Sequence, residues 1–216
     1  MLRTVYHFTT LNSAKLIVRK QKLKVSRINK LNDPFELLSA KIGDKEYRLK
    51  IKKQKESAND LYGIISFSKS WKNPVQWAHY AERHKGVCLA FSIEKDLLTD
   101  IVYHSKRIHQ NDILEPKTAL KYKFKSWSYE QETRLIIELQ DKLIIKCGDM
   151  HFIPFNDKIK LDEIIFGANT TKETEGELYR EVNPNHSIKY NKARPAFKSF
   201  RMTYKKNWKN EMIKSL

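Results

Sequence analysis

Lys85-Gly86-Val87-Cys88-Leu89-Ala90-Phe91 decides how this chain folds. Five apolar residues follow a glycine without a polar residue to mark a solvated face. The run therefore reads as a strand covered on both faces, at the centre of a sheet. Just upstream, Pro74 opens a helix populated by Val75, Trp77, Ala78 and Ala81, and Lys85-Gly86 ends it with a glycine cap. Residues 5–8 predict a first strand. Asn12-Ser13 then caps a helix through Lys20, with Ala14, Leu16, Ile17 and Leu23 on or near its inner side. Further strands are expected at 23–26, 62–67, 101–103, 133–139, 142–147, 151–155 and 164–167, and further helices at 45–56 and 172–181. Residues 29–36 form a turn around Asn32-Asp33-Pro34-Phe35. The stretch 108–124 is mixed, basic and partly helical. Strands come in runs with helices interspersed irregularly, which predicts an α+β fold rather than a doubly wound sheet.

Composition narrows the function classes. Ten Phe, ten Tyr and four Trp in 216 residues supply a sizeable core, and six Gly with six Pro leave no long linker. No apolar run approaches the roughly 20 residues of a membrane span, and the N-terminus lacks a signal-like apolar stretch, so a cytoplasmic protein is expected. Cys88 reads as a small buried hydrophobe, Cys147 stands alone, and no Cys-x-x-Cys is present. His79 and His84 are five apart rather than four, so no metal site is expected. The absence of a Gly-rich phosphate loop excludes a nucleoside triphosphatase. The formal charge of +17 favours a polyanionic partner.

Three short motifs carry the candidate chemistry. Glu130-Gln131-Glu132 precedes the strand at 133–139, where alternation places both carboxylates on one face beside Trp127 and Tyr129. The plain reading is an exposed strand edge pairing with Lys125 and Arg134. Ser66-Phe67-Ser68 ends another strand, its hydroxyls suited to a ribose or to orienting a carboxylate, or simply to a polar strand end. His7 lies between aromatics on the first strand, as a ligand or as a core histidine.

In this order, Tyr6-His7-Phe8-Thr9, Ser66-Phe67-Ser68 and Glu130-Gln131-Glu132 resemble the NAD site of ADP-ribosyltransferases. A second resemblance, to domain-of-unknown-function family 2971, runs from about residue 5 to about residue 190. It rests on Leu31-Asn32-Asp33-Pro34-Phe35-Glu36, Gln76-Trp77-Ala78-His79-Tyr80-Ala81, His84-Lys85-Gly86-Val87-Cys88, Lys125 through Arg134, and Ile164-Ile165-Phe166-Gly167. That family name implies no activity. The transferase resemblance implies a split β-sandwich with flanking helices over residues 1–190, using NAD as cofactor. Glu132 would then stabilise the oxocarbenium-like ribose and Glu130 would orient or deprotonate the acceptor. His7, Thr9 and Asn32 would hold the cofactor, Ser66 and Ser68 would position Glu132, and Phe67, Trp77 or Tyr80 would stack on nicotinamide.

Residues 191–216 differ in composition. Lysines and arginines are interleaved there with Phe197, Phe200, Tyr204 and Trp208, and Phe197, Phe200 and Tyr204 fall near helical spacing. A basic helical extension follows, with Lys198, Arg201, Lys205, Lys206 and Trp208 as a nucleic-acid grip. Taken together, these readings imply a small NAD-dependent ADP-ribosyltransferase acting on DNA or RNA, as a toxin or phage-defence effector, with an antitoxin as a further partner. The alternative is a non-catalytic or nuclease-like nucleic-acid-binding protein whose glutamate pair is structural.

Overall fold

The computed structural model describes residues 1–38, 40–41, 43–108, 115–182 and 188–208. In chain order the first elements are β1 (Leu2–Thr9), α1 (Leu11–Lys20), β2 (Lys22–Arg27), α2 (Lys45–Leu61), β3 (Tyr62–Ser68), α3 (Pro74–Tyr80) and β4 (Val87–Glu94). There follow β5 (Leu98–Asp100), β6 (Val102–His104), α4 (Pro116–Ala119), β7 (Tyr122–Phe124) and β8 (Glu132–Glu138). The last are β9 (Ile145–Cys147), β10 (Met150–Pro154), β11 (Ile159–Phe166), α5 (Lys172–Glu181), β12 (Lys189–Pro195) and β13 (Met202–Tyr204). The class is α+β with mixed sheet pairing. Two compact units divide the chain: Met1–Leu23, Phe67–Lys95 and the chain from Pro154 on form the first, and Lys24–Ser66 with Asp96–Ile153 the second. The boundaries fall inside β2, β3 and β10.

In the first unit β4 is central. It runs antiparallel to β1, from Leu2 opposite Glu94 to Thr9 opposite Val87, and antiparallel to β11 on its other edge. Residues 87–91 are all buried, as an unbroken apolar run requires of a strand covered on both faces. α5 carries the chain from β11 to β12, which pairs with β11 in parallel, and β13 returns antiparallel. Trp71, Trp77, Ala81, Cys88, Ile165, Ala193 and Met202 form one core cluster here. On α1 the buried residues are Ala14, Ile17 and Val18, while Leu16 is exposed. Its cap is Thr10, whose hydroxyl accepts the Ser13 N–H, rather than Asn12 or Ser13.

Gly86 does not cap α3, which ends at Tyr80. Glu82, Arg83 and His84 intervene with left-handed φ of 47°, 54° and 69°, each costing roughly 1–2 kcal/mol in a residue that has a Cβ. The turn is closed by the Lys85 N–H on the Glu82 carbonyl and the Gly86 N–H on the Ala81 carbonyl, and it is also held from outside. The Asn169 N–H donates to the His84 carbonyl, and the Leu11 N–H to the Glu82 carboxylate. A Cβ on Gly86 would collide with the Thr9 carbonyl, and one on Gly167 with the His84 carbonyl. Both glycines therefore serve close backbone approach.

In the second unit β3 pairs antiparallel with β2, Ser26 opposite Ile64, and also lies beside β8. β5 pairs with β8, and β6 with β7 in a short parallel ladder that sets Tyr103 opposite Lys123. Ile28, Leu37, Ala40, Ala58, Ile64, Ala119 and Leu120 form the core cluster of this unit. The charged helix α2 buries only Ile51 and Ala58. Of the stretch 108–124, residues 109–114 lie outside the described residues; the remainder contains α4 and β7.

Residues 191–208 are not a helical extension. They complete β12, turn at 196–201 and return as β13 within the first unit. The edge of β11 offers a row of backbone partners that outweighs the helical spacing of three aromatics. Lys209, Glu211 and Lys214 lie outside the described residues.

Candidate functional site

Glu130 and Glu132 do meet, but not by strand alternation. Glu130 ends a 3₁₀ turn, Gln131 is left-handed at φ 46°, and Glu132 begins β8. That kink brings both carboxylates to one ammonium. Lys123 Nζ donates to Glu130 Oε2 at 2.5 Å and to Glu132 Oε2 at 2.9 Å. Both glutamates are buried, at 7 % and 3 % exposure, so neither forms the exposed edge that the spacing allowed. Lys125 is not a partner in these contacts; Arg134 is a partner of Glu132.

Arg134 uses all five of its N–H groups. Its Nε donates to Glu132 Oε1 at 2.7 Å and its Nη2 to Glu132 Oε2 at 3.2 Å. Its Nη1 and Nη2 reach Glu36 Oε1 and Oε2 at 2.5 and 3.0 Å, and Nη1 also reaches the Leu120 carbonyl at 3.0 Å. The guanidinium is thus bidentate on two carboxylates, which is what makes a buried arginine tolerable. The turn at Asn32-Asp33-Pro34-Phe35 delivers Glu36: Asp33 Oδ1 accepts the Phe35 N–H and the Asp33 carbonyl accepts the Glu36 N–H. Leu37, next in sequence, is left-handed at φ 63°. Left-handed residues thus adjoin all three carboxylates, Gln131 lying between Glu130 and Glu132 and Leu37 following Glu36.

Electrostatics within this cluster hold Glu132, Lys123 and Arg134 charged. Burial by itself raises the Glu132 carboxyl, but the Arg134 and Lys123 charges and their hydrogen bonds outweigh it and hold the value at about 2. Burial likewise disfavours the Lys123 and Arg134 cations, yet their carboxylate partners raise both. Tyr103, pushed up to about 12 chiefly by burial, accepts the Glu132 N–H on its hydroxyl at 2.7 Å. Three carboxylates face two cations, leaving one negative charge in excess among these five side chains. Lys123 escaped the sequence reading, and Glu36, which ends the Leu31–Glu36 motif, was not connected to Arg134. The available signal was Arg134 itself, because an arginine two residues into an apolar strand must be met by acids from elsewhere.

The other candidates divide between the units. Asn32 is exposed, and Ser66 is exposed on β3. In the first unit Thr9 is buried and His7 half-buried, its ring 5.8 Å from Phe67 in an edge contact. Phe67 also packs on Phe91 and is enclosed. Trp77 is fully buried, packs on Phe8 and donates its Nε1–H to the Trp71 carbonyl at 2.7 Å. Both rings are core, so neither presents a face to a nicotinamide; Tyr80, half-buried, is the remaining candidate. The Ser68 hydroxyl donates to the Ser70 carbonyl and accepts from the Ser70 N–H and Gln76 Nε2. It closes a local turn.

The tail residues separate as sharply. Trp208 is buried, its Nε1–H on Glu175 Oε2 at 2.7 Å, and Glu175 also accepts from Lys192 and Thr170. It anchors β13 and α5 and is no base-stacking ring. Phe197 and Phe200, by contrast, are 90 % and 100 % exposed on the turn between β12 and β13. The Ala196 N–H closes that turn on the Arg201 carbonyl at 2.8 Å, and Arg194 lies 4.2 Å over the Phe197 ring. Lys198, Arg201, Lys205 and Lys206 are exposed along the same segment.

Among the described residues no helix is long and apolar enough to cross a membrane, and no cluster of three or more His, Cys, Asp or Glu side chains could hold a metal ion. No family model, curated protein or solved structure matches the chain.

Proposed function

We propose that this protein binds nucleic acid through the turn between β12 and β13. The supporting observation is the pair Phe197 and Phe200, displayed in water between Arg194, Lys198 and Arg201. A buried phenyl ring contributes about 1.5–3 kcal/mol that these two forgo. Rings kept in water beside cations suit unpaired bases, which stack on the aromatic faces while lysine and arginine neutralise phosphate. The formal charge of +17 points the same way. The test is fluorescence anisotropy with single-stranded and duplex oligonucleotides and, in parallel, flotation with anionic vesicles. Tight, salt-sensitive binding of single strands that is lost in a Phe197→Ala/Phe200→Ala double variant supports the proposal. Binding to vesicles alone, or to neither, overturns it.

NAD-dependent ADP-ribosyl transfer is a second reading, favoured by one observation: Glu132 is held ionised at neutral pH. Other residues fit that role poorly. Phe67 and Trp77 are enclosed, Ser68 is engaged in its turn, and both Glu132 oxygens already accept cationic donors. For Glu132 to accept a ribose hydroxyl, Lys123 or Arg134 has to yield. Incubation with labelled NAD, with and without nucleic acid, separates the two readings: turnover supports transfer, and its absence leaves binding alone.

A further inference from the structure

The second unit holds a cavity of about 350 Å³ whose chemistry neither reading uses. Phe35, His104, Lys106, Arg107, Lys123 and Phe124 are among the residues that line it. Its size falls within the range of small-molecule sites, which begins near roughly 300 Å³. Three of these six side chains are cationic. Glu130 and Glu132 answer Lys123, but Lys106 and Arg107 have no acidic partner among the described residues.

Arg107 is already fixed in place. Its Nη1 donates to the Leu38 and Ala40 carbonyls, both at 3.1 Å, and its Cζ lies 5.4 Å from the Phe35 ring centroid. A guanidinium held this way loses little further freedom when an anion meets its remaining N–H groups. Two positive charges without an acidic partner among the described residues match a dianionic phosphate better than a single carboxylate.

The apolar side of the cavity is also incomplete. Phe35 and Phe124 remain 48 % and 45 % exposed although they line a concavity. A planar ring laid against them removes that surface from water. The register of β6 and β7 sets His104 opposite Phe124, and the His104 ring packs on Tyr122 with centroids 5.2 Å apart. Its Nε2 is buried without a hydrogen-bond partner among the described residues.

We infer that this cavity binds a phosphate monoester carrying one planar ring, either a free nucleoside monophosphate or the phosphorylated end of a polynucleotide. Arg107 and Lys106 take the phosphate, and Phe35 and Phe124 the ring. The inference does not depend on the turn between β12 and β13.

Isothermal titration calorimetry on the full chain tests it. The ligands are AMP, GMP, CMP and UMP, with adenosine and inorganic phosphate as the separated halves. At least one mononucleotide is expected to bind at one site, with each half at least about tenfold weaker because each leaves part of the cavity unfilled. Arg107→Gln is expected to weaken that binding about tenfold or more through loss of a charged hydrogen bond. Lys106→Gln, on an exposed side chain, keeps the test valid if loss of the Leu38 and Ala40 contacts unfolds the first variant. A 5′-phosphorylated tetranucleotide, titrated into the Phe197→Ala/Phe200→Ala variant beside its unphosphorylated twin, distinguishes the two ligand sources. A gain from its phosphate identifies a polynucleotide end, and binding of the mononucleotide alone identifies the free ligand. The inference is overturned if no mononucleotide binds saturably, or if every folded charge variant binds like the parent.

Discussion

Glu132 sits where a stability role and a chemical role make different forecasts. Exchange to Gln removes one of three carboxylates: Lys123 keeps Glu130 and Arg134 keeps Glu36, but each loses its charge-assisted hydrogen bonds to Glu132. Losing charged hydrogen bonds of this kind costs about 1.5–3 kcal/mol, which in a chain of this length lowers Tm by about 5 °C. Calorimetry that finds Glu132→Gln melting like the parent would show that the cluster does not hold the fold. The pH dependence follows from the direction of the shift. The folded value, about 2, lies below the ordinary 4.5. The contribution is therefore fully present above about pH 4.5 and is lost as pH falls through the folded value. Acid titration by circular dichroism should show the parent losing stability across that window and Glu132→Gln losing less. The pair of glutamates was legible in the sequence because two carboxylates open an apolar strand. Their burial was not, because it depends on Glu36, nearly a hundred residues away, and on a left-handed Gln131 that no propensity favours.

Among the elements, β4 was legible because its unbroken apolarity left one reading, and α5 because Lys, Glu, Leu and Arg outweigh the single mid-helix Gly176. The β12–β13 segment was misread because its partner is β11, distant in sequence, while its own aromatics happen to fall near a helical repeat. Two substitutions separate its parts. Phe200→Ala removes a side chain that is fully exposed, so thermal stability should stay within about 0.5 kcal/mol of the parent while single-strand affinity falls by about tenfold, in line with a stacking term of about 1–3 kcal/mol. An affinity unchanged in anisotropy would remove Phe200 from the interface. Truncation before Asn191 should instead abolish the cooperative melt, because it deletes β13, most of β12 and Trp208, and uncovers Phe166. A truncated chain that still melts cooperatively would contradict the placement of Trp208. Gly167→Ala is expected to be comparably damaging, since its Cβ would meet the backbone carbonyl of His84.

For the whole molecule, charge sets the testable quantity. If Arg194, Lys198, Arg201 and Lys205 each neutralise one phosphate, the log–log salt slope for single strands should be about −3, at about 0.7 per phosphate. Anisotropy titrations at several salt concentrations measure it, and a slope near zero would exclude phosphate contacts. Composition announced a basic, globular chain. It did not announce that each unit is assembled from separated segments, because nothing local in the sequence at residues 23, 66, 95 or 153 marks a boundary, and β2 and β3 run straight through two of them. That interleaving has a consequence for synthesis. The second unit has all its residues once Ile153 has emerged from the ribosome, whereas the first still lacks β11, the partner of its central strand. Until translation passes Phe166, the apolar strand β4 has β1 on one edge and an open ladder on the other. A chain stalled between those two points presents a long, flat hydrophobic edge to its neighbours on the same polysome, and that is the stage at which this protein is most exposed to aggregation and to the chaperones that prevent it.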